Sequence, residues 1–312
     1  MYNLDLFIIT IYCFIEDDLY PAFCQANGKP RTAGFDPGLS DAECLTIEIV
    51  GHFLGYSSQK KLYEQMREHF IDWFPTLKDR PAFVRQCANL WVVKMWMQQR
   101  IVASLEGHQA SCQIIDTLPL PICKLARRHY RKIFTREPVF EFPPPSKGFC
   151  AAKSEAYFGF KGGLRITDYG LIVHAPILKA YGHDKNCREA LLDGTMGDTT
   201  ILADAAFMDL AWQKRCLDTY RIRIKTPLKS NMKENPERAP FILPKAKRAT
   251  RRLVETVYAQ LTERLHIARM KVRDAWHLLN LWHTKILTHT LCVFLNIINY
   301  RDPLDFDGLV QF

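Results

Sequence analysis

Near residue 110 the spacing of apolar residues changes from a helical to a strand period, so the chain must combine a helical part with a sheet. Before that point, Ser40 and Glu43 form a Ser-x-x-Glu capping box ahead of Leu45, Ile47, Ile49, Val50, Phe53 and Leu54, the pattern of a buried helix. A second helix is expected from Ser58 to about Phe74. A third is expected to start at Asp79 and Pro81, where cap and first-turn chemistry agree, and to run through residues 84–97.

After residue 110 the pattern shortens. Residues 112–118 form an apolar run of strand length, and residues 156–167 and 171–178 read as two strands joined by a tight turn at Asp168 to Gly170. A helix capped by Asp184, a strand ending at Asp204, a helix capped by Asp209 and a strand at 220–225 follow. A linker carrying Pro227, Pro236, Pro240 and Pro244 then leads to a basic helix bearing Glu255. Residues 137–149 read as an irregular loop. Strand, strand, strand, helix, strand, helix, strand, helix is the element order of a ribonuclease-H-like fold. The expected class is therefore α/β: a ribonuclease-H-like mixed sheet with flanking helices, preceded by a small all-helical N-terminal domain. The expected domains are 1–105 and 106–312, the second ending in a C-terminal helix.

Charge divides along the same line. Residues 1–105 hold 10 Lys+Arg against 12 Asp+Glu, whereas residues 106–312 hold 32 against 21. The whole excess of the +9 chain thus belongs to its second part. It is clustered: residues 124–136 carry six positive charges and no acid, and residues 245–252 carry five in eight. Single-sign blocks of this kind suit phosphate backbones, which gives Arg127, Arg128, Arg131, Lys132, Lys247, Arg248, Arg251 and Arg252 as DNA-binding candidates, with Lys161 as a further one. The helical start, lacking that excess, could bind DNA ends or serve as a packing platform.

Ten cysteines without a Cys-x-x-Cys pair argue against a zinc knuckle or a disulfide framework and for reduced thiols in a cytoplasmic setting. The apolar N-terminus has Asp5 and no basic start, so a buried first helix is expected rather than a signal sequence. Residues 276–300 are apolar but interrupted by His277, Asn280, His283, Lys285 and His289, which reads as an amphipathic closing helix rather than a membrane span.

Three carboxylates carry the chemistry: Asp116 in residues 112–118, Asp204 in residues 200–206, and Glu255 in residues 251–257. Each stands where a buried strand end or the inner face of a helix is expected, and an uncompensated acid there is costly. Mg²⁺ takes a few carboxylates together with water and phosphate oxygens, so two Mg²⁺ ions held by Asp116, Asp204 and Glu255, with Mn²⁺ able to substitute, would support phosphoryl transfer on nucleic acid. The alternatives are a turn cap for Asp116, a helix cap for Asp204, and Glu263 in place of Glu255. His174 and His183 are read as structural, and Arg251 and Arg252 stand one turn before Glu255, where they could grip phosphates.

Residues 114–124, 158–167, 202–209 and 251–260, taken in order and with the helical start around residues 39–43, resemble the DDE-type transposases of bacterial insertion sequences of family nine-eight-two. The resemblance covers most of the chain. It implies a ribonuclease-H-like catalytic domain in which Asp116, Asp204 and Glu255 bind Mg²⁺. It also implies hydrolysis at transposon ends to expose 3′-hydroxyls, followed by their attack on target DNA. Double-stranded DNA is the expected partner, with a homodimer in the DNA complex. A ribonuclease-H-like nuclease that never joins, and a catalytically inactive DNA-binding descendant, are the alternatives.

Overall fold

The computed structural model describes residues 2–31, 37–77, 79–126, 134, 142–150, 154–182, 184–195, 197–228, 232–233 and 235–311, the side chains of residues 184 and 185 excepted. In chain order the main elements are β1 (Tyr2–Asn3), α1 (Leu4–Cys13), α2 (Tyr20–Asn27), α3 (Asp41–Phe53), α4 (Gln59–His69), α5 (Arg80–Asn89) and α6 (Trp91–Ser104). There follow β2 (Cys112–Lys124), β3 (Ser146–Cys150), β4 (Glu155–Thr167), β5 (Ile172–His174), β6 (Ile177–Lys179), α7 (Arg188–Leu192), β7 (Thr200–Leu202), α8 (Leu210–Tyr220) and β8 (Arg223–Lys225). The chain continues with α9 (Arg248–Ala259), α10 (Ala275–Ile298) and β9 (Val310–Gln311). Two compact units divide it: Met1–Ile101, Arg131–Phe142 and Gln260–Phe312 form one, and Val102–Tyr130 and Pro143–Ala259 the other. Residues 260–312, expected with the sheet, thus belong with the N-terminal helices.

Among the described residues the first unit is helical apart from the parallel pairing of β1 with β9. The expected caps form: Ser40 and Glu43 close the capping box of α3, Ser58 accepts from Lys61 N at 3.2 Å, and Asp79 accepts from Ala82 N at 2.9 Å. Helix α10 packs on α3 and α5 and is buried along most of its length, which corrects the amphipathic reading. Its polar residues have partners inside. Lys94 Nζ donates to Glu48 and Asn280, and Asn280 Nδ2 donates to Glu48 Oε1 at 3.2 Å. Lys285 Nζ bonds to His52 Nδ1 at 3.2 Å, and His289 Nε2 pairs with Gln260 Oε1 at 3.0 Å. Among the described residues no helix is long and apolar enough to cross a membrane.

The second unit is built on a mixed sheet in the order β3-β4-β2-β7-β8, with β5 and β6 also on β4. β2 and β4 run antiparallel from Gln113↔Thr167 to Lys124↔Tyr157, whereas β2–β7 and β7–β8 are parallel. The turn between β4 and β5 closes with Thr167 N on Leu171 O at 2.9 Å and uses Gly170 at φ +91°, a conformation that glycine adopts without strain. The expected second strand is broken at Ala175 and Pro176 into β5 and β6, because proline offers no N–H to the ladder. Residues 146–150, expected in a loop up to 149, form β3 on the edge of β4.

Successive residues of β2 alternate between the faces of the sheet. Ile115, Ile201, Ala203 and Ile224 point into a core closed by Leu191 and Leu192 of α7 and by Trp212 and Cys216 of α8. Asp209 caps α8 by accepting from Trp212 N at 3.2 Å, as expected, and holds Arg188 at 2.9 Å. Helix α9 packs on β2, with Val254 and Val257 buried. Pairing between β2 and β7 ends at Ile114↔Leu202, and Pro119 and Pro121 fall in the stretch of β2 beyond it.

Candidate functional site

The site is built where β2 and β7 separate. Ile114 and Ile115 are almost fully buried, and the next residue is Asp116, opposite Leu164 of β4. Its Oδ1 accepts from Thr117 N at 2.8 Å, which fixes the carboxylate beside its own strand. Two residues past Leu202 stands Asp204, just as Asp116 stands two past Ile114. Asp204 keeps an extended backbone (φ −79°, ψ 174°) just past the end of β7. Asp204 also caps the short 3-10 helix Ala205–Phe207 through Oδ1, which accepts from Ala206 N. The cap weighed from sequence is therefore real, and it engages one of the two oxygens.

Helix α9 brings the third acid. Glu255 was expected on its inner face, but its side chain is 59% exposed. The reason is angular: the buried stripe passes through Val254 and Val257, and a residue one place from Val254 is turned about 100° away from it. Arg251, one turn earlier, donates from Nη1 to Glu255 Oε1 at 3.1 Å, while its Nη2 lies 3.9 Å from Asp116 Oδ2. A single guanidinium, 19% exposed, thus links a β2 acid to an α9 acid. The i,i+4 spacing signals the first contact, but no local pattern signals the second.

The basic candidates separate. Lys247, Arg248 and Arg252 are exposed at or just before the start of α9. Lys161 is different: it pairs with Pro119, an odd number of residues from Asp116, and so faces the opposite side of the sheet. It is 9% exposed, and its Nζ donates to Gly182 O at 2.9 Å, so burial and a backbone partner remove it from the Asp116 surface. Arg127, Arg128, Arg131 and Lys132 lie outside the described residues, as does His183. Glu263 lies beyond α9 in the π-helical turn Gln260–Arg264, in the stretch that belongs with the helical unit.

One buried group gave no signal in the sequence. Arg165, opposite Ile115 and on the face away from Asp116, is 1% exposed and donates to Leu192 O at 3.2 Å. Burial lowers its pKa to about 10 against the favourable pull of Asp193. His174 beside it is held below its usual range by burial and by Arg165, and it bonds Ala190 O at 2.9 Å. Together they tie α7 to the sheet, a structural role for His174 in keeping with its sequence reading.

The carboxylates of Asp116, Asp204 and Glu255 are hard oxygen donors of the kind Mg²⁺ takes, so they suit a divalent ion in donor type. Among the described residues, no three His, Cys, Asp or Glu side chains converge closely enough to hold a metal ion. Arg251 stands between two of the acids.

A family model described as transposase DDE domain matches residues 106–275, from just before β2 to the start of α10. No curated protein and no solved structure matches the chain. With more than half of its length matched, the chain belongs to the transposase DDE domain family.

Proposed function

We propose that the chain is a DNA transposase that cleaves at the ends of an insertion sequence and transfers the exposed 3′-hydroxyl into target DNA. The observation that carries this reading is the family match over residues 106–275, within which Arg251 links Asp116 to Glu255. A central strand flanked by an antiparallel and a parallel neighbour supports a ribonuclease-H-like fold. The narrower placement in insertion-sequence family nine-eight-two rests on the motif residues around Asp116, Lys161, Asp204 and Glu255.

In this reading Asp116, Asp204 and Glu255 are the catalytic acids and would hold two Mg²⁺, or Mn²⁺ in their place. Such ions, if bound there, would supply activation of the attacking hydroxyl and charge neutralisation at the leaving oxygen. The chain's own contribution is placement. The Thr117 amide orients Asp116 and the Ala206 amide orients Asp204. Lys247, Arg248 and Arg252 draw the DNA backbone to the start of α9, and the segment around Arg127, Arg128, Arg131 and Lys132 extends the basic surface. We assign recognition of the transposon ends to residues 1–105, which lie outside the matched family segment. Bringing two ends together calls for a homodimer on DNA, working on the nucleoid in the cytoplasm.

The test is to incubate the purified protein with labelled DNA carrying the ends of its own element, with Mg²⁺ or with EDTA, and to resolve the products on a denaturing gel. Metal-dependent nicks at the junctions together with joined products are expected. Nicks without joining would identify a nuclease, and binding without any cut an inactive descendant.

A further inference from the structure

The acids of the site share a cation that the protein supplies itself. Arg251 lies 3.1 Å from Glu255 Oε1 and 3.9 Å from Asp116 Oδ2, so one cationic side chain reaches both carboxylates. A second cation placed between those carboxylates would meet it at like-charge distance, which disfavours both. Arg251 can yield only by turning its side chain, and it is the long, rotatable member of the three. Exposed Arg248 and Arg252 share the start of α9 with it, in a region that would accept a phosphate.

We infer that Arg251 is a built-in competitor of the divalent metal: it neutralises Asp116 and Glu255 in the free protein, and metal loading requires it to swing out. The inference rests on the reading that Asp116 and Glu255 are metal ligands, and it goes beyond the phosphate grip that sequence gives Arg251. Arg251 is then a positioning residue that sets metal affinity before any DNA arrives. Where a competing internal contact occupies a site nine-tenths of the time, removing it raises apparent affinity about tenfold.

The experiment is titration of the DNA-free full-length protein with Mn²⁺, by calorimetry and by the loss of the free-ion electron paramagnetic resonance signal. The forms compared are wild type, Arg251→Gln, Arg251→Lys and Asp116→Asn, each checked for folding by circular dichroism. The expected result is binding about tenfold tighter in Arg251→Gln, with Arg251→Lys between it and wild type, and loss of binding in Asp116→Asn. Should Arg251→Gln fail to fold, Arg251→Lys against wild type decides by the same sign. Unchanged or weaker Mn²⁺ binding without Arg251, while Asp116→Asn still loses it, would overturn the competitor role and leave the metal site standing. Absence of Asp116-dependent binding in every form would overturn both.

Discussion

Asp204 follows the last residue of β7 by two positions and caps the 3-10 turn behind it, its Oδ1 accepting from Ala206 N. This carboxylate serves the fold and, under the proposed function, also the chemistry, and substitutions can separate the two. Asp204→Asn keeps an oxygen for the cap, whereas Asp204→Ala removes it at a cost of about 1 kcal/mol. Urea denaturation should show Asp204→Asn close to wild type and Asp204→Ala destabilised, while both lose metal-dependent cleavage. Equal stability of the two variants would deny the cap its weight.

Salt dependence tests the basic start of α9. If exposed Lys247, Arg248 and Arg252 each neutralise a DNA phosphate, replacing all three by Gln should lower the slope of log affinity against log salt by up to about 2.7. Lys161→Gln should leave that slope unchanged, because its ammonium is turned to Gly182 O on the other face of the sheet. Binding isotherms over a range of salt concentrations measure both.

The helical unit should be acid-sensitive. His289 on α10 is fully buried, and burial pushes its pKa down to about 3. His52 on α3 is held well below the usual range by burial, with Lys285 and Lys94 adding to the effect. Between their folded values and the ordinary 6.5, the unfolded chain binds protons that the folded one does not. The stability these residues contribute is thus complete above pH 6.5 and is lost as pH falls towards 3, by up to about 1.4 kcal/mol per pH unit for each group. Urea midpoints between pH 7 and 5 should fall less steeply in His289→Gln than in wild type, and parallel slopes would contradict this assignment.

Local signals account for much of this architecture. The capping box at Ser40 and Glu43, the caps at Ser58, Asp79 and Asp209, and the turn at Asp168 to Gly170 are chemistry that neighbouring residues specify alone. The run of β2 up to Asp116 was legible for the same reason. Long-range facts were not. Nothing near Lys285 announces that His52 lies 233 residues away to receive it, so a buried helix read as amphipathic. β3 pairs through backbone groups, which its Pro-rich surroundings conceal. At the site, the residue types and the i,i+4 pair of Arg251 and Glu255 could be read directly. The exposure of Glu255 and the reach of Arg251 to Asp116 depend on how α9 is rotated against β2.

The most direct measurement of the central claim is cleavage of end-bearing DNA in Mg²⁺ by Asp116→Ala, Asp204→Ala and Glu255→Ala, with DNA binding measured in parallel. Each variant is expected to bind the ends much as wild type does and to yield no Mg²⁺-dependent product. Cleavage that persists in any one of them would remove that residue from the catalytic set, and persistence in all three would contradict the proposed site.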